Sequence, residues 1–119
     1  MEKISPFKPE TEFLADEGCY IVELLNSEND AACSIARARV RSGVTTELHY
    51  LEGTIERYVI LEGEGRVDVA GEPPTIVHPL DIVVIPAGAT QRIANTGATD
   101  LVFLCICTPR FESKYYVEA

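Results

Sequence analysis

Apolar and polar side chains alternate with a period of two along most of this chain. Cys33-Ser-Ile-Ala-Arg-Ala-Arg-Val40 and Arg66-Val-Asp-Val-Ala70 show the pattern most clearly. That period puts successive side chains on opposite faces and predicts half-buried strands. Extended segments are likewise expected at Tyr20–Asn26, Thr45–Leu51, Arg57–Leu61, Thr75–His78, Asp81–Ile85, Thr90–Ala94 and Leu101–Thr108. Turn signals separate them: Ser42-Gly43, Gly53, Glu62-Gly-Glu-Gly65, Gly71–Pro74, Pro79, Pro86-Ala-Gly88 and Asn95-Thr-Gly97. The Glu62–Gly65 stretch between two strand patterns predicts a hairpin. Residues 1–18 read as an irregular lead-in broken by Pro6 and Pro9, and only the tail from Glu112 hints at a helix.

Many short strands at regular spacing predict an all-β sandwich or barrel rather than a βαβ fold. A length of 119 residues fits one domain, 1–119, with a barrel core over about 33–107. Ile82–Ile85 and Leu101–Ile106 are apolar at every position, so both of their faces require cover. The barrel interior covers one face; a second copy of the chain covers the other, which predicts a homodimer.

The charge balance excludes some partners. Nineteen acidic residues against 10 basic ones give a formal net charge of -9. Such a surface repels nucleic acid and anionic membranes. The one basic cluster, Arg37, Arg39 and Arg41, falls on a single strand face and reads as a solvated face. The N-terminus shows no apolar signal-peptide core, and no apolar run approaches the roughly 20 residues of a membrane span, so a cytoplasmic location is expected. Cys19, Cys33, Cys105 and Cys107 form no metal-type spacing and read as free thiols. Cys105 and Cys107 share a strand face, a poor geometry for a disulfide.

Two stretches carry a more specific pattern. The first runs Gly43, five residues, His49, one residue, Leu51, four residues, Glu56, six residues, Gly63. The second runs Leu80, five residues, Pro86-Ala-Gly88, two residues, Gln91, three residues, Asn95. Together they resemble the paired motifs of the cupin superfamily, and Tyr58-Val-Ile-Leu-Glu-Gly-Glu-Gly65 and Asp81-Ile-Val-Val-Ile-Pro-Ala-Gly88 are similar to its wording. The resemblance spans about residues 33–107. It implies a double-stranded β-helix, a jelly-roll barrel, as in small single-domain bacterial members.

The same resemblance implies a metal site with an altered ligand set. In the family, two histidines and a glutamate of the first motif and a histidine of the second converge on one ion. Here His49 and Glu56 hold the first histidine and glutamate positions, Leu51 replaces the second histidine and Gln91 the third. The implied ligands are therefore His49, Glu56 and Gln91, with a divalent transition metal (Zn, Mn, Fe or Ni). Period two gives His49 one face with Leu51, and Glu56 one face with Tyr58 and Ile60. A carboxylate on an inward face is costly unless it is paired or binds a cation. A hydrogen-bonded network of His49, Glu56, Gln91 and water satisfies the same groups without a metal.

Two functions follow as expectations. One is a metal-dependent enzyme, an isomerase, lyase or cyclase rather than a dioxygenase, with Tyr58 giving or taking a proton as the catalytic residue. Tyr58 also reads as a core aromatic with a bound hydroxyl. The other is a non-catalytic module holding a small molecule or sugar in the barrel. No Arg or Lys falls on the inward parity, which points to a neutral or apolar ligand. His78 lies outside both motifs and reads as a surface residue. Leu80, where the family has glycine, predicts a type I turn, and Asn95 reads as closing its turn through its side chain.

Overall fold

The computed structural model describes residues 3–119. Eleven strands form two antiparallel sheets facing each other. They are β1 (Phe13–Leu14), β2 (Tyr20–Leu25), β3 (Ser34–Val40), β4 (His49–Leu51), β5 (Ile55–Glu62), β6 (Gly65–Val69), β7 (Thr75–Val77), β8 (Ile82–Ile85), β9 (Gln91–Asn95), β10 (Leu101–Thr108) and β11 (Tyr116–Glu118). One sheet has the order β1-β2-β3-β10-β5-β8 and the other β11-β4-β9-β6-β7. This is the all-β, double-stranded β-helix architecture that the sequence pattern implied.

Alternation sorts each strand between interior and exterior. From β3, Ala38 and Val40 point inward; from β10, Leu101 and Phe103; from β5, Tyr58 and Ile60; from β8, Val83 and Ile85; from β9, Ile93. These close-packed side chains form one continuous core. Register places Phe103 beside both Ala38 and Ile60, so the large ring fills space that the alanine leaves. Towards the other end of the same strands the inward residues are small: Ser34 and Ala36 on β3, and Cys105 and Cys107 on β10. The interior there is not filled.

The exterior of the six-stranded sheet is half covered. Arg37 and Arg39 are not a free basic stripe. Both pair with Glu12, at 3.2 and 2.6 Å, and Arg39 also pairs with Asp100 at 3.1 Å. Arg39 above all holds the Glu12 carboxyl below its usual range. The guanidinium of Arg37 lies over the Phe7 ring and that of Arg39 over Tyr20. The lead-in is thereby tied to the sheet, and it holds more order than its prolines suggest: a 3-10 turn at Pro9–Thr11, then β1. Beyond this cover, Ile82 and Val84 of the edge strand β8 remain 57% and 59% exposed. Full cover of both faces of β8 is therefore not achieved within one chain.

Two turns differ from the sequence reading. The segment after Glu112 is a 3-10 turn, Ser113–Tyr115, followed by β11, which pairs with β4. The Pro79-Leu80 turn is not type I. Asp81 N donates to His78 O at 2.9 Å, and Leu80 has φ 73°. Positive φ at the third position after a proline at the second is the type II pattern. Leu80 thus adopts the backbone that glycine would favour, and it is the one described non-glycine residue that does so. Asn95 behaves as expected. Its Oδ1 accepts from Gly97 N, and its Nδ2 donates to Val40 O and Thr99 O.

Candidate functional site

The unfilled end of the barrel is a cavity of about 440 Å³. That size lies within the range of small-molecule sites. Ser34, Ala36 and Ala38 of β3, Glu56 and Tyr58 of β5, and Phe103, Cys105 and Cys107 of β10 form one wall. His49 and Leu51 of β4 and Ile93 of β9 form the opposite wall. The β1–β2 hairpin, with Phe13, Leu14, Asp16 and Glu17, and the C-terminal segment, with Phe111, Ser113 and Tyr116, frame the mouth. That segment is fixed by three hydrogen bonds: Phe111 N to Ser34 Oγ, Asn26 Nδ2 to Phe111 O, and Thr54 Oγ1 to Pro109 O.

His49 is 5% exposed and is held by its ring. Its Nδ1 lies 2.8 Å from the Glu47 carbonyl oxygen. A carbonyl only accepts, so the neutral ring carries its proton on Nδ1 and keeps its lone pair on Nε2. Tyr116 of β11 stacks on this ring, with centroids 4.9 Å apart. The Tyr116 hydroxyl is buried and finds no partner among the described residues.

Glu56 sits opposite Cys107 in the β5–β10 register, and the Cys107 thiol donates to its Oε2 at 3.8 Å. Among the described residues, no Lys or Arg balances this carboxylate. Burial is the chief reason that its pKa rises from the ordinary 4.5 to about 7, with the charge of Glu17 adding to it and the Gln91 amide partly offsetting it. The thiols of Cys19, Cys105 and Cys107 are likewise pushed up by burial first and by neighbouring carboxylates next. All four cysteines are free, as expected. Raised thiols are protonated and poor nucleophiles.

Gln91 is fully buried and does not reach the cavity wall. It pairs with His49 between β9 and β4, yet its side chain turns across the barrel. The Tyr58 hydroxyl donates to Gln91 Oε1, a bridge from one sheet to the other. Gln91 Nε2 makes no close hydrogen bond among the described residues, and its longer approach to Glu56 favours the carboxylate. Burial, followed by the Glu56 charge, pushes the Tyr58 pKa well above 10. The Tyr58 ring also packs on Phe103 at 4.5 Å.

The three residues singled out as ligands lie close together but differ in what they offer the cavity. His49 and Glu56 face the cavity, while the one oxygen that Gln91 could offer a metal is held by Tyr58. Among the described residues, no three His, Cys, Asp or Glu side chains stand close enough together to hold a metal ion. The donors as arranged do not fit a resident transition metal of the zinc type, which takes three protein ligands. His78 is at the surface near Glu64 and Asp81 and belongs to no site. Sequence reasoning did not single out Glu17, Cys19, Ala36 or Tyr116 for the cavity. The signal available for part of it was the run of small residues at inward positions of β3 and β10.

The Cupin domain family model matches residues 36–107. An oxalate-binding protein from Thermotoga maritima is 35% identical over 88 residues, which cover 72% of each chain. An uncharacterized protein of Methanocaldococcus jannaschii is 30% identical over 115 residues, or 95% of this chain and 86% of that one. Among solved structures, a predicted oxalate decarboxylase from Thermotoga maritima superposes with a TM-score of 0.70 at 32% identity. It covers 76% of this chain and 80% of its own.

Proposed function

The chain belongs to the cupin domain family, and from that premise we propose that its barrel cavity binds an organic small molecule directly through its walls, without a resident metal at His49, Glu56 and Gln91. The observation that carries this reading is the engagement of the Gln91 oxygen by Tyr58. His49 and Glu56 line a cavity of small-molecule size, and the oxygen of Gln91 behind them is taken up by Tyr58. Tyr58 in this reading is a strut between the sheets and a wall of the cavity rather than a proton donor. Its hydroxyl is already engaged, and burial makes it a weak acid. The protein thus acts as a non-catalytic binding module. The relative named for binding oxalate supports small-molecule binding inside such a barrel.

Elemental analysis and thermal unfolding test the reading together. The purified chain is expected to carry no stoichiometric transition metal. Its unfolding midpoint is expected to stay fixed when Zn, Mn, Fe or Ni salts are added, since ligands of the native state alone raise it. A rise of several degrees with one metal, lost in His49→Ala, overturns the metal-free reading. The strip formed by Ile82 and Val84 is the surface on which we place a homodimer contact. No helix among the described residues is long and apolar enough to cross a membrane.

A further inference from the structure

We propose that the ligand of this cavity is an organic cation, an amine with an apolar or aromatic body, and not a carboxylate. The inference rests on the small-molecule reading and adds the chemical class. Every formally charged side chain at the cavity is acidic: Asp16, Glu17, Glu23 and Glu56. The basic residues are placed elsewhere. Arg57 donates to Thr108 on the outer face of its sheet, and Arg92 pairs with Asp68. Arg37 and Arg39 are held by Glu12. Arg110 is engaged by Asn26 at 2.8 Å and by Glu112. Lys114 sits with Glu112, and neither lines the cavity.

The neutral polar groups point the same way. His49 keeps a lone pair on Nε2, because its Nδ1 proton is spent on Glu47 O. Glu56 faces the cavity with a long contact from the Cys107 thiol and neutral donors near it, the Gln91 amide and the Cys105 thiol. Both His49 and Glu56 are acceptors, and among the described residues no cation balances the charge of Glu56. The remaining walls include the rings of Tyr58, Phe103, Phe111 and Tyr116, whose faces attract an ammonium group. A dianion such as oxalate, placed here without a metal, meets carboxylates and no balancing charge. The ligand class of this chain thus departs from the one printed in its relative's name.

Titration of the isotope-labelled full chain at pH 8 tests this with three probes of one shape: benzylamine, benzyl alcohol and benzoate, with oxalate as a fourth. Benzylamine is expected to bind at least tenfold more tightly than benzyl alcohol. It is expected to shift amide resonances at residues 34–38, 56–58 and 103–107, while benzoate and oxalate shift none. Glu17→Gln, a conservative change at the mouth, is expected to weaken the amine several-fold and to leave benzyl alcohol unchanged. If benzyl alcohol matches the amine, or if benzoate or oxalate binds at these residues, the cationic class is wrong while a small-molecule cavity stands. If no probe binds at these residues, both the class and the cavity reading fail.

Discussion

Replacing Glu56 with glutamine isolates the energetic cost of the buried carboxylate. The substitution keeps side-chain size and leaves an amide oxygen to accept from the Cys107 thiol. A carboxyl whose pKa moves from 4.5 in the open chain to about 7 in the fold corresponds to about 3 kcal/mol. Glu56 is only partly shielded, because it faces the cavity, so about 2 kcal/mol is the expected effect. The sign follows from proton linkage. Below pH 4.5 the group is protonated in both states and costs nothing. Between pH 4.5 and 7 the unfolded chain releases the proton while the fold retains it, so stability falls. Above pH 7 the penalty is constant. Unfolding of a chain of this length carries an entropy of roughly 0.25 kcal/mol/K. Glu56→Gln is therefore expected to raise the midpoint by about 8 °C at pH 8, with the difference closing towards pH 4. Denaturant and thermal unfolding of both proteins across pH 4–8.5 measures it. A variant less stable than the parent at pH 8, or a difference that ignores pH, refutes the argument, and the first outcome points instead to a cation held by Glu56.

Leu80→Gly is expected to stabilise the fold by about 0.5–1 kcal/mol, because relief of a left-handed leucine exceeds the chain entropy that glycine adds; a lowered midpoint counts against it. Asn95→Ala removes two donated bonds and one accepted bond at a buried turn. It should cost about 2–3 kcal/mol in chemical unfolding, and a loss under about 0.5 kcal/mol refutes that role. Sedimentation at micromolar concentration is expected to show a species of twice 13.1 kDa that Val84→Asp converts to the monomer; a parent that sediments as a monomer removes the dimer.

Most strands were legible because alternation survives where one face meets the core and the other meets solvent, whereas β8 and β10 showed as short apolar runs. Thus Ser34–Val40 and Gly65–Val69 fall where the pattern put them. The short strands β1 and β11 were not legible, since two or three residues cannot display a period. Leu80 misled because a side chain was read as forbidding positive φ, whereas Pro79 and the bonds around Asp81 set that turn. At the site, parity correctly turned Glu56, Tyr58 and His49 inward. It could not show that Gln91 would spend its oxygen on Tyr58, because that bond joins strands of different sheets. Spacing assigns a residue to a face; the partner across the barrel decides what the residue does there.

The cavity draws its walls from Phe13 to Tyr116, nearly the whole chain. Its main wall comes from β3, β5 and β10, whose pairings join residues far apart in sequence. Such contacts close slowly and late in folding. No fragment of the chain can therefore present the binding surface, and nascent protein offers a ligand nothing to grip. A molecule that occupies the finished barrel acts on the rate at which it comes apart and leaves its assembly untouched. On the proposed reading, persistence of the protein, rather than its formation, is what a bound molecule would control.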